Sequence, residues 1–206
     1  MRAVSHVQRR DALPISLTPL VGRDRESASI REMLDDPSLR LVTLTGTGGV
    51  GKTRLALHVA SELRDAFGDA IAWVSLAAIR EEAFVLPSFA AALGLPIDPS
   101  ESLMARLASH LEGYPWLIVL DNLEQLPTAG GLVSDLLGRC PRLTILATSR
   151  TPLGVAGEQQ FAIQPLPMPE QEDAPDTIRQ SDAVRLFIQR ARSTSPTMTF
   201  DDTVAG

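Results

Sequence analysis

Between Arg40 and Thr53 the chain passes from a short apolar run through a glycine-rich turn into an amphipathic helix, and few folds accommodate that succession. Leu41, Val42, Thr43 and Leu44 read as a buried strand. Gly46, Thr47, Gly48, Gly49, Val50 and Gly51 form the turn, and Lys52 and Thr53 open the helix. The pattern is G-x-x-x-x-G-K-T in a strand–loop–helix setting. Glycines there let successive backbone N–H groups converge on an anion, and the helix N-terminus adds partial positive charge at the same point. Lys52 is placed to reach the β- and γ-phosphates of a nucleotide, and the Thr53 hydroxyl to ligate Mg²⁺. Arg54 follows directly and completes the candidate cofactor-binding set.

Composition narrows the reading further. Lys52 is the only lysine among 206 residues, and the other basic side chains are arginines. A chain that otherwise avoids lysine thus keeps one where a compact ammonium meets phosphate. A net charge of −6 argues against a broad nucleic-acid-binding face on this segment. The single Cys140 cannot form an internal disulfide, which points to a reducing, cytoplasmic setting. No apolar run approaches the roughly 18 residues that span a bilayer, and the N-terminus lacks the apolar stretch of a secretory signal. No membrane association is expected.

Along the chain, residues 1–20 read as a flexible lead, with His6 a solvated residue. A short helix is expected over about 24–34, closed by Asp36-Pro37. After the glycine turn, Leu55, Ala56, Val59, Ala60, Leu63 and Phe67 recur at helical spacing, with Gly68 as the C-cap and His58 on the polar face. Residues 70–76 read as a second strand, and about 84–93 and 102–111 as helices. Trp116 to Leu120 is an apolar run ending in Asp121, the pattern of a central parallel strand whose tip enters a site. Asp121 is therefore a candidate Mg²⁺ ligand opposite Thr53. Leu132, Val133, Leu136 and Leu137 mark a helix. Leu143 to Thr148 is a further strand running into Ser149 and Arg150. By spacing alone, Arg150 is either a cation aimed at a phosphate or a surface residue beginning the next turn. Residues 158–163 read as a last short strand, the proline-rich stretch after it as a linker, and Ser181 as the N-cap of an amphipathic helix. The end of the sequence reads as cut inside a second domain.

With these pieces in order, the chain resembles the STAND class of P-loop ATPases, specifically the NB-ARC-like module of bacterial LuxR-type and antibiotic-pathway transcriptional regulators. The matching stretches are LTPLVGRDRE (17–26), VTLTGTGGVGKTRLA (42–56), LIVLDNLEQL (117–126), ILATSR (145–150) and the segment over 164–187. The resemblance implies an α/β, three-layer, AAA-related core with parallel strands in the order 5-1-4-3-2. The core would span 21–168, followed by the linker and first helix of a helical lid over 169–206. It implies ATP or ADP with Mg²⁺, with Val21, Gly22 and Arg23 beside the adenine. Asp121 would be the Walker B acid, and Arg150 the T-S-R arginine that senses the terminal phosphate. Lys52, Asp121 and Arg150 are thus the candidate catalytic residues.

Two features depart from the family pattern. Asn122 stands where many relatives carry a second acid that orients the attacking water, and Glu124 is the nearest carboxylate. The G-L-P-L motif of the lid is absent from the sequence. The expected function is a nucleotide-operated switch with slow hydrolysis. Its partners would be other domains of a longer polypeptide or a regulatory protein, with nucleotide-dependent oligomerisation in the longer form. The alternatives are a P-loop phosphotransferase acting on a small molecule and a passive interaction module with a vestigial loop. A GTPase is excluded, because the N-K-x-D guanine motif needs a lysine after an asparagine and the chain's only lysine is already in the phosphate loop.

Overall fold

In the computed structural model, residues 13–126, 129–170 and 174–195 are described. His6, most of the N-terminal lead and the last residues of the chain lie outside them. Five strands form one parallel sheet: β1 (Leu41–Thr45), β2 (Ile71–Ser75), β3 (Trp116–Asp121), β4 (Leu143–Thr148) and β5 (Glu158–Ala162). Their spatial order is β2-β3-β4-β1-β5, which is the expected 5-1-4-3-2 counted from the other edge.

Strand composition explains these positions. β1, β3 and β4 are almost wholly buried, as central strands covered on both faces must be, and their apolar runs follow from that. β5, Glu-Gln-Gln-Phe-Ala, has no buried residue and closes one edge. Two apolar clusters lie on the opposite faces of the sheet. On one face, Val42, Leu44, Val119 and Leu146 meet α1 (Asp24–Asp35) and α2 (Lys52–Glu62) through Ile30, Leu34, Leu55 and Val59. On the other, Leu41, Ile118, Leu120 and Ile145 meet α4 (Val85–Ala92), α5 (Leu103–Leu111) and α6 (Ala129–Arg139) through Phe89, Leu107 and Leu136. Burying each such side chain contributes roughly 1.5–3 kcal/mol, so the three layers fix the direction of every strand tip.

Local structure departs from the sequence reading at four places. The helix expected to continue to Phe67 breaks at Leu63, whose carbonyl accepts from both Ala66 and Phe67 and starts the separate turn α3 (Arg64–Phe67). Gly68, at φ +58°, closes that turn, and its N–H donates to the Arg64 carbonyl. The described part of the lead is tied down: Leu13 is buried, and the Arg54 guanidinium donates to the Thr18 carbonyl (3.0 Å), the Thr18 hydroxyl (2.8 Å) and the Pro19 carbonyl (2.8 Å). The stretch read as linker contains a further helix, α7 (Pro175–Gln180), which begins with proline at its first position, where the missing N–H costs nothing. Ser181 does precede α8 (Asp182–Thr194), but its hydroxyl donates to the Pro167 carbonyl at 3.4 Å and does not cap the helix.

Candidate functional site

The C-terminal tips of β1, β3 and β4 converge. The pairing of β1 with β4 sets Leu44 beside Thr148, and β2 with β3 sets Ser75 beside Asp121. The chain leaves β1 through Gly46, at φ +146°. A Cβ there would lie 2.7 Å from the Ile163 carbonyl oxygen, so the loop passes too close to the end of β5 for any side chain. Gly49 and Gly51 are also left-handed, and Gly51 is the N-cap from which α2 departs. The orphan N–H groups of the first turn of α2 therefore open toward the concave side of the loop.

Lys52 is only 8% exposed. Its ammonium donates to the Gly46 carbonyl at 2.8 Å and the Thr47 carbonyl at 3.0 Å, which holds a full positive charge under the loop. Among the described residues no carboxylate pairs with it, and a buried cation so placed is a demand for an anion.

Thr53 and Asp121 meet: the Thr53 hydroxyl donates to Asp121 Oδ1 at 2.7 Å. The Thr148 hydroxyl donates to the same oxygen, also at 2.7 Å, and accepts from the Asn122 N–H at 3.0 Å. Sequence reasoning assigned no role to Thr148. Its signal was available, since it is a hydroxyl at the tip of a strand otherwise filled with apolar residues. Asp121 is 4% exposed, and the two hydroxyls fix its orientation. One carboxylate and one hydroxyl offer hard oxygen donors of the type Mg²⁺ takes when phosphates and water complete its shell. Among the described residues there is no group of three or more His, Cys, Asp or Glu side chains that could bind a metal unaided.

Arg150 stands at the mouth of the site. Its Nε lies 3.4 Å from Glu124 Oε1, and its Nη2 lies 3.6 Å from where a Gly48 Cβ would sit. The guanidinium thus spans the gap between the turn after β3 and the apex of the glycine loop.

A cavity of roughly 520 Å³ opens beside the loop. Thr47, Gly48, Gly49, Val50 and Gly51 line one end, and Leu20, Val21, Pro165, Leu166, Met168 and Leu186 supply an apolar wall. Arg54 and Arg190 also reach it, and burial together with the charge of Arg190 lowers the pKa of the Arg54 guanidinium. Val21 and Arg23 line the wall of this cavity, and the Arg23 side chain is engaged in structural contacts. It is buried, pairs with Glu26, and donates to the carbonyls of Gln164 (2.7 Å) and Val50 (3.3 Å), joining the lead, the loop and the exit of β5. Gly22, at φ +66°, is covered by α8: a Cβ there would fall 2.4 Å from Asp182 Cβ. Met168, Leu186 and Arg190 carry no local signal in the sequence: the stretch after β5 brings Met168 to the cavity, and the return of α8 over the loop brings Leu186 and Arg190.

The model of the AAA ATPase domain matches residues 19–203. A protein of Mycobacterium tuberculosis named as an HTH-type transcriptional regulator is 45% identical over 163 residues, covering 78% of this chain and 17% of the relative. The regulatory protein AfsR of Streptomyces coelicolor is 37% identical over 130 residues, covering 53% of the chain and 13% of AfsR. The chain therefore spans less than a fifth of the length of either regulator. Among solved structures, the Cdc6 protein of Pyrobaculum aerophilum matches with a TM-score of 0.62 at 18% identity, covering 87% of this chain and 52% of that one. That likeness concerns the fold alone. The resemblance drawn from the sequence motifs, to ATPase modules of bacterial regulators, is borne out by the family match and by these relatives.

Proposed function

The chain belongs to the AAA ATPase domain family, and on that premise we propose that it is a nucleotide-operated switch that binds ATP or ADP with Mg²⁺ and hydrolyses ATP slowly. Lys52 and the N–H groups of Gly46–Thr53 hold the phosphates, and Arg150 meets the terminal one. Val21, Gly22, Arg23 and the apolar wall take the adenine. Thr53 and Asp121 hold Mg²⁺, which when bound neutralises charge on the β- and γ-phosphates.

The observation that carries the switch is the shared lining of one cavity. Phosphate-loop residues Thr47 to Gly51 and α8 residues Ala183, Leu186 and Arg190 face the same space. A ligand there touches both bodies at once. Any difference between ATP and ADP in that contact becomes a difference in where α8 rests. In a longer regulator of the kind its relatives represent, that movement would be passed to neighbouring domains or to another copy, in the cytoplasm and without direct nucleic-acid contact by this segment.

A small-molecule phosphotransferase finds less support. Arg80 is engaged with the carbonyls of Ala77 and Ile79 and with the Gln125 side chain, and Arg106 pairs with Glu101. These arginines leave no evident cradle for a second anionic substrate. Limited proteolysis over 174–195 tests the switch: ATP and ADP, each with Mg²⁺, should give different cleavage rates. Equal rates with both nucleotides bound would overturn it.

A further inference from the structure

Asn122 leaves the site without the acid that sequence reasoning looks for directly after Asp121. The geometry points to Glu124 as its replacement. We propose that Glu124 is the carboxylate that activates water for hydrolysis, and that Arg150 restrains it until a γ-phosphate draws the guanidinium away. This rests on the nucleotide reading above.

The backbone supplies the first support. Asn122 is the only described non-glycine residue at positive φ, at +67°. This left-handed residue ends β3 abruptly and starts the 3₁₀ turn Leu123–Gln125. Leu123 is driven into the core, and Glu124 is thereby turned back toward the strand tips instead of outward to solvent. A glutamate in a surface turn is ordinarily exposed, yet this side chain is only 12% exposed.

Its partners supply the second. Oε1 lies 3.4 Å from Arg150 Nε and accepts weakly from the Asn122 amide at 3.5 Å. Oε2 is buried with no hydrogen-bond partner among the described residues. A carboxylate with one oxygen loosely paired and the other unused has free acceptor capacity. Asp121, three residues earlier, has an oxygen committed to two hydroxyls. Of the two acids, Glu124 is the one whose carboxylate is not already oriented by two short hydroxyl hydrogen bonds.

The third support is that Arg150 is shared. Its side chain is 63% exposed, so it is free to move, and its Nη2 already lies against Gly48 at the loop apex. A terminal phosphate held by that loop would compete with Glu124 for the same guanidinium, and a phosphate offers more charge and better fork geometry. ADP offers no γ-phosphate and leaves the pair intact. In the hydrolytic step the water oxygen bonds to the γ-phosphorus while the bond to the β,γ-bridging oxygen breaks, its electron pair remaining on ADP. The water proton passes to Glu124 and from there to solvent.

The test is single-turnover ATP hydrolysis and equilibrium binding of ATP and ADP by the wild type, Glu124→Gln and Glu124→Asp. Glutamine keeps the size and the contact with Asn122. Its hydrolysis rate at saturating ATP should fall about 100-fold or more, the usual contribution of a general base, while ADP affinity and the thermal midpoint stay unchanged. Its preference for ATP over ADP should rise a few-fold, because Arg150 is released from the carboxylate. Aspartate, which keeps the charge but not the reach, should give an intermediate rate. An undiminished rate in Glu124→Gln, or a fall in its preference for ATP, would overturn the proposal. A wild type that binds ATP and never hydrolyses it would also do so, while leaving the binding reading intact. Failure of the wild type to bind either nucleotide would sink the earlier reading instead.

Discussion

Below the cavity, α2 buries five of its eleven residues, Lys52 among them, whereas α8 above it buries none of its thirteen. The first helix is held by the sheet through Leu55, Ala56, Val59 and Ala60, all with no exposed surface. The second rests on its neighbours by partial contacts, such as Asp182 over Gly22 and Leu186 and Ala183 on the cavity wall. Opening free energies within one protein range from near zero to the global stability, according to how much each element buries. The floor is therefore the more firmly held of the two, and under the proposed switch the roof is the part that a ligand would displace.

The sharpest way to break this comparison is at its base. Leu55→Ala removes a fully buried side chain beneath the loop and should cost about 2–5 kcal/mol of stability, as core leucine truncations do, read by chemical denaturation. Leu186→Ala in the roof should cost less than about 1 kcal/mol. Equal losses would mean that roof and floor are one cooperative unit.

Lys52→Ala comes next. It deletes the buried ammonium that donates to Gly46 and Thr47. Loss of its contacts to phosphate should weaken ATP and ADP binding by roughly 10- to 100-fold, equivalent to about 1.5–3 kcal/mol, by titration calorimetry. Stability without ligand should hold or rise, since an uncompensated buried charge is removed.

Gly22→Ala acts on the junction between the two bodies. Its left-handed φ costs an alanine about 1–2 kcal/mol, and the added carbon meets Asp182. Hydrogen exchange should accelerate over α8 and stay slow over β1 and α2. Uniform acceleration would show that the strain spreads through the core. The smallest effect is expected from Leu186→Ala on affinity: a loss of a few-fold for both nucleotides, because this residue supplies only part of the apolar wall.

The floor was legible in the sequence and much of the roof was not, and the reason is range. The phosphate loop, the strand runs and Asp121 are signalled by residues within a few positions of one another. Lys52, Thr53 and the glycine spacing report a local conformation, and the apolar strands report burial on both faces. The contacts that complete the site are distant in sequence. Arg23 reaches Gln164, Arg54 reaches Thr18, and Thr148 reaches Asp121. No local pattern marks α7 either, because its proline-rich lead-in resembles a linker until Pro175 is seen to open a helix. In the sequence, Asn122 stands as a missing acid. Its backbone conformation gives it a different significance, as the residue that turns Glu124 inward.

Calorimetric titration of the chain with ATP, ADP and GTP in the presence of Mg²⁺, for wild type and Lys52→Ala, tests the central claim most directly. The account predicts one adenine nucleotide bound per chain, GTP at least about tenfold weaker, and binding that is sharply reduced in the variant. Equal affinity for GTP, or adenine-nucleotide binding indifferent to Lys52, would contradict it.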